Sequence, residues 1–136
     1  MITVIGLGCE KADLPQGAEA VLRSGARVIL RTGETPVADG VRALGVCFET
    51  LDYIYETSRN FDTLNKKLAA AVLSAAKEND VAYCVDGSVT EDVSAQIVIR
   101  RAKGTKVFCG ASKADRAFAA AKVFSRSRTA LSAYAL

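Results

Sequence analysis

Histidine is absent from this 136-residue chain. That removes the side chain that most often serves as general base near neutral pH, and with it the commonest metal ligand. No Ser–His–Asp or Cys–His catalytic set can be assembled. Cysteine is scarce and scattered at Cys9, Cys47, Cys84 and Cys109, with no Cys-x-x-Cys pair, so neither a disulfide framework nor a zinc knuckle is indicated. No apolar run approaches a membrane span, and no basic region followed by an apolar stretch opens the chain. The expectation is a cytoplasmic protein without a membrane partner. A GxxxxGK[ST] loop is also missing, which excludes that phosphate cradle.

What is present suits one domain with a sizeable core: half the residues are apolar and 24% are charged. Charge is unevenly placed. From Arg100 onward, Arg100, Arg101, Lys103, Lys106, Lys113, Arg116, Lys122, Arg126 and Arg128 face the single acid Asp115. That is a net of +8, leaving −5 for the first 99 residues out of an overall +3. A basic terminal third is either a solvated helix face or a meeting place for phosphates, nucleic acid or an acidic protein partner. Few aromatics interleave with these charges, so a nucleic-acid partner is not expected.

Strand and helix patterns alternate from end to end. Ile2–Ile5, Arg27–Leu30, Val81–Val85 and Lys106–Cys109 are short apolar runs of buried-strand type, and Val46–Glu49 is a weaker one. Helices are predicted over 14–24, with Asp13 as N-cap and Gly25 as stop, and over 36–44, between Pro36 and Gly45. A third runs from an Asn60 N-cap to Lys77 with Phe61, Leu64, Leu68, Ala71 and Val72 on one face. Residues 89–102 and 113–123 complete the set. The fold class expected is α/β, a three-layer sandwich with a mainly parallel sheet covered on both faces.

In such sheets ligands bind beyond the carboxyl ends of the strands. The first strand runs into Gly6-Leu-Gly8, where paired glycines let backbone approach a bound molecule. Two later loops share a construction: Gly87-Ser88-Val-Thr-Glu91 and Gly110-Ala-Ser112-Lys-Ala-Asp115 each offer a Ser with an acid three residues on. Both are capping boxes. Either they simply start helices, or their N–H groups and hydroxyls also meet ligand oxygens. Asp86 serves ligand hydroxyls or its neighbouring backbone. Cys9, Cys84 and Cys109 fall near the same strand ends, as small core residues or as a cluster; no metal site is assigned.

The order of these motifs resembles the tetrapyrrole (corrin/porphyrin) methylase superfamily, N-terminal lobe, and within it the methylase-like domain of MazG-type proteins. The resemblance rests on Ile2-Thr-Val-Ile-Gly-Leu-Gly8, Leu30-Arg-Thr-Gly-Glu-Thr-Pro-Val37, Phe48-Glu-Thr-Leu-Asp-Tyr-Ile-Tyr55, the helix Asn60–Lys77, Asp80-Val-Ala-Tyr-Cys-Val-Asp-Gly87 and Val107–Ala117. It implies that residues 1–136 are a single methylase-like lobe, with the second, C-terminal lobe absent. It implies a methyltransferase domain dependent on S-adenosylmethionine. Leu7, Gly8, Cys9, Asp86, Gly87, Ser88, Val89, Gly110, Ala111 and Ser112 would line the cofactor cleft; no catalytic residue is assigned. Where the family has Gly-x-Gly-Pro-Gly-Asp, this chain reads Gly6-Leu-Gly-Cys-Glu-Lys11. A non-catalytic docking or regulatory lobe, serving a partner such as a nucleotide pyrophosphohydrolase, is therefore the alternative expectation, and a different nucleotide-binding α/β module with Asp86 on a ribose is a third. The lone lobe also predicts a homo-oligomer or pairing with a second methylase-like lobe.

Overall fold

A computed structural model describes residues 1–10 and 14–111 of the chain. Five strands, β1 (Ile2–Gly6), β2 (Arg27–Leu30), β3 (Glu49–Thr50), β4 (Val81–Val85) and β5 (Lys106–Phe108), form one sheet in the order β3-β2-β4-β1-β5. Every pairing is parallel. Five α-helices connect them: α1 (Ala18–Leu22), α2 (Pro36–Ala43), α3 (Asp52–Thr57), α4 (Phe61–Ala75) and α5 (Val93–Arg101). The α/β sandwich expected from the sequence is the one observed. Among the described residues, no helix is long and apolar enough to cross a membrane.

Strand alternation builds two cores. Ile2, Val4, Ile29, Val81, Tyr83 and Val85 point to one face, where Ile54, Leu64, Leu68, Val72, Ala95 and Val98 of α3, α4 and α5 cover them. Ile5, Val28, Leu30, Ala82 and Cys84 point to the other, under Ala18 and Leu22 of α1 and Val37, Ala38 and Val41 of α2. Because both faces are sealed, the central strands read as unbroken apolar runs.

The local signals hold at several ends. Asn60 Oδ1 accepts the Thr63 N–H at 2.9 Å and starts α4. Pro36 opens α2, and Gly45 follows it with a positive φ. Elsewhere the structure corrects the reading. Helix α1 begins at Ala18 with Gly17 at its N-cap, because Gly17 takes a left-handed turn (φ 86°) that no helical residue adopts; Asp13 lies outside the described residues. Ser88 caps only a 3₁₀ turn, Val89–Glu91, by accepting the Thr90 N–H. Asp92 is the true cap of α5: its Oδ1 accepts the Ala95 N–H at 2.9 Å. The weak strand shifts to Glu49–Thr50, since pairing with β2 begins only at Ile29 opposite Glu49. Phe61, at the first turn of α4, is 78% exposed, and Asn65 takes a place on the buried stripe. Helix α3 forms where the sequence pattern predicts no element. The helix expected over 113–123 lies outside the described residues.

Two of the motifs quoted above meet through this topology. Leu51 N–H donates to Leu30 O (3.1 Å), and Gly33 N–H to an Asp52 carboxylate oxygen (3.1 Å). Burial alone would raise the Asp52 carboxyl, but hydrogen bonds from Thr32, Gly33 and Thr50 outweigh it and hold it below the usual range.

Candidate functional site

The chain leaves β1 toward α1 on one face, and leaves the adjacent β4 toward α5 on the other. Neighbouring strands that part company in this way create the switch point at which ligands of open α/β sheets collect. Here the loops after β1, β4 and β5 are knitted together at that point. Leu7 N–H donates to Val85 O (2.8 Å), Gly8 N–H to Gly87 O (3.0 Å), Gly87 N–H to Gly8 O (2.7 Å), and Val89 N–H to Cys109 O (2.9 Å). Gly8 and Gly87 thus form an antiparallel bridge beyond the parallel sheet. The crossing is too tight for side chains. A Cβ on Gly6 would strike the carbonyl oxygens of Cys109 and Gly87, and one on Gly110 those of Gly6 and Gly87. This is why these positions are glycine.

The residues expected at a cofactor cleft therefore divide. Leu7, Ser88 and Val89 bury their side chains, at 3%, 3% and 1% exposure, and can offer a ligand little beyond backbone. The Ser88 hydroxyl is shared with Thr90 Oγ1 at 2.9 Å. Gly8 and Gly87 are buried, whereas Cys9, Gly110 and Ala111 are half-exposed and carry small side chains or none. Ser112 lies outside the described residues. The Cys84 thiol is enclosed, and burial pushes its pKa up to about 12; Cys109 is exposed. All four cysteines are unbridged, and among the described residues no group of three His, Cys, Asp or Glu could hold a metal ion.

Asp86 belongs to a second cluster on the α4/α5 side of the same edge. Its Oδ1 is 3.8 Å from Arg31 Nη1, and Arg31 Nε is 3.2 Å from Asp92 Oδ2. The Nε–H is not aimed at that oxygen, so the contact is an ion pair without a hydrogen bond. The Arg31 guanidinium also lies 5.5 Å from the centre of the Tyr55 ring. Asp92 Oδ1 accepts from the Ser94 hydroxyl, which in turn is 2.7 Å from the Tyr83 hydroxyl in the core. Burial pushes the Tyr83 hydroxyl far above its ordinary pKa. Burial likewise raises Tyr55. A cavity of about 340 Å³ opens here, lined by Arg31, Asn65, Asp86, Gly87, Glu91, Asp92 and Val93.

Sequence reasoning found Asp86 but missed Arg31, Asn65, Tyr55 and Asp92. Arg31 sits directly after a buried strand, a position that could have flagged it. Asn65 carried the one available warning, as a polar residue within the apolar periodicity of α4. Of the basic residues, Arg100, Arg101, Lys103 and Lys106 are exposed at the end of α5 and the start of β5, at the edge opposite the site. In the last turn of α5, Arg100 and Arg101 favour the negative end of the helix dipole. The other five lie outside the described residues.

No family model matches this sequence, and no curated protein matches it. The fold is similar to that in a crystal structure of diphthine synthase, with a TM-score of 0.57 at 16% identity. The likeness covers 82% of this chain and 45% of the other, so this chain spans just under half the length of that protein. Likeness at that identity speaks to architecture alone: the chain shares the parallel-sheet α/β fold seen in that structure.

Proposed function

We propose that this lobe is the cofactor-holding half of an S-adenosylmethionine-dependent methyltransferase of the tetrapyrrole methylase type. The observation that carries the reading is the crossing of three glycine-bearing loops at the switch point of a methylase-like sheet. The residues there suit the group. Gly8, Gly110 and Ala111 raise no large side chain above the crossing, so a flat nucleoside can lie on backbone, with Cys9 at its margin. S-adenosylmethionine, when bound, supplies a methyl carbon on a sulfonium. The chain's own part is to position it, and positioning needs no histidine. A second surface must complete the cleft, from a further segment, a second copy or another protein. Phe61 and Val93, which open α4 and α5, are exposed at 78% and 54% on this same edge and would be covered by it.

A specific observation also favours the docking lobe. The N–H groups of Gly8, Gly87 and Val89 satisfy carbonyls of neighbouring loops, so the crossing is stable without a ligand. In that reading the chain presents its basic surface to an acidic partner, such as a MazG-type pyrophosphohydrolase, in a salt-sensitive complex. Calorimetric titration with S-adenosylmethionine, S-adenosylhomocysteine and ATP separates the two. Saturable binding of the first two alone is expected. No binding by a folded sample, or a preference for ATP, overturns the cofactor reading.

A further inference from the structure

We infer that the cavity between Arg31, Asn65 and Asp86 is a separate binding site for the vicinal hydroxyls of one small sugar or polyol ring. Asn65 makes the first argument. It sits on the buried stripe of α4 beside Leu64 and Leu68, is 8% exposed, and its Oδ1 has no hydrogen-bond partner. Buried amide oxygens are almost always satisfied, because an orphan forfeits its hydration for nothing. A leucine at this position would extend the stripe without that cost. The amide lines a cavity instead, which points to a donor supplied from outside. The buried Tyr55 hydroxyl, on the ring beside Arg31, also lacks a partner.

Charge selects the class of ligand. Among the described residues of the lining, Asp86 and Asp92 flank the guanidinium of Arg31. An anion would meet the carboxylates of Asp86 and Asp92, and would have to draw Arg31 away from Asp92 at 3.2 Å and Asp86 at 3.8 Å. A simple cation would meet Arg31 itself, and the carboxylates here are not placed as a metal-holding group. A hydroxyl satisfies both kinds of wall: it donates to carboxylate or amide oxygen and accepts from guanidinium or amide N–H. Adjacent hydroxyls on a ring can bridge an acid and its basic neighbour together. At about 340 Å³ the cavity stands at the small end of ligand pockets and suits one ring.

The test is an amide and side-chain NMR titration of the full chain with D-ribose, 2-deoxy-D-ribose, putrescine and inorganic phosphate. The expected result is saturable shifts at Asn65, Arg31 and Gly87 with ribose, and binding several-fold weaker for the deoxy sugar. Asn65→Leu should abolish the shifts while remaining folded by circular dichroism. Should that variant not fold, Asp86→Asn is expected to weaken ribose binding at least tenfold. Saturating S-adenosylhomocysteine should leave the ribose shifts of Asn65 and Arg31 intact, whether or not it binds the glycine loops. Shifts with putrescine or phosphate but not ribose, no shifts at all, unaltered binding by Asp86→Asn, or displacement of ribose by S-adenosylhomocysteine would each overturn the assignment.

Discussion

The carboxyl edge of the sheet holds two clusters made on opposite principles. At the glycine crossing, backbone meets backbone, the named N–H groups of Gly8, Gly87 and Val89 are paired, and side chains are excluded by lack of room. In the Arg31 cavity, side chains form the walls, Arg31 pairs with Asp86 and Asp92, and two buried polar atoms, Asn65 Oδ1 and Arg31 Nε, have no hydrogen-bond partner. The first is a satisfied framework on which a ligand can rest. The second is an incomplete one that a ligand would complete. The difference teaches where to expect tolerance: geometry should rule the crossing, and chemistry the cavity.

The largest effect should come from breaking the crossing. Gly6→Ala and Gly110→Ala each drive a methyl into carbonyl oxygens of two neighbouring loops, so a loss of about 3 kcal/mol or more is expected. Urea midpoints would measure it. Next in size is Asp92→Ala, which removes the α5 cap, the partner of Ser94 and the ion pair to Arg31 together. A cost of about 2–3 kcal/mol is expected, with Asp92→Asn in between.

Raising the pH should sharpen the contrast, because one titrating group lies beneath each cluster. Tyr83 faces the α4/α5 core below the cavity, and Cys84 the opposite core. Both have folded-state pKa values raised above their ordinary 10.0 and 9.0. Their neutral forms therefore contribute stability that is complete below about pH 9. It is lost as pH rises, from 9.0 upward for Cys84 and from 10.0 upward for Tyr83. Tyr83→Phe and Cys84→Ala should each flatten their own part of the alkaline limb in denaturation series across pH. The smallest effect belongs to Asn65→Leu. It exchanges an unsatisfied buried amide for an apolar side chain, so stability should change by about 1 kcal/mol or less, with either sign. A large loss there would mean that Asn65 is structural.

Much of the framework was legible because it depends on local patterns. Unbroken apolar runs marked β1, β2 and β4 as doubly covered strands, and Asn60, Pro36 and Gly45 marked helix ends through their own conformational preferences. What escaped depends on partners distant in sequence. Asp92 outcompetes Ser88 as the cap of α5 because it is also held by Ser94 and Arg31, and no window around residue 90 contains Arg31. The cavity joins residues 31, 65 and 86–93, which only the order β3-β2-β4-β1-β5 brings together. Helix α3 was hidden because its six residues, Asp52–Thr57, include Tyr53, Ile54, Tyr55 and Thr57, which favour strands locally and fold as helix when Ile54 docks in the core.

The most direct measurement is an amide shift map of the full chain titrated with S-adenosylhomocysteine. Saturable shifts confined to Gly8, Cys9, Gly87, Gly110 and Ala111, with Arg31 and Asn65 unmoved, are what the account predicts. Shifts centred on the Arg31 cavity, or none in a folded sample, would contradict it.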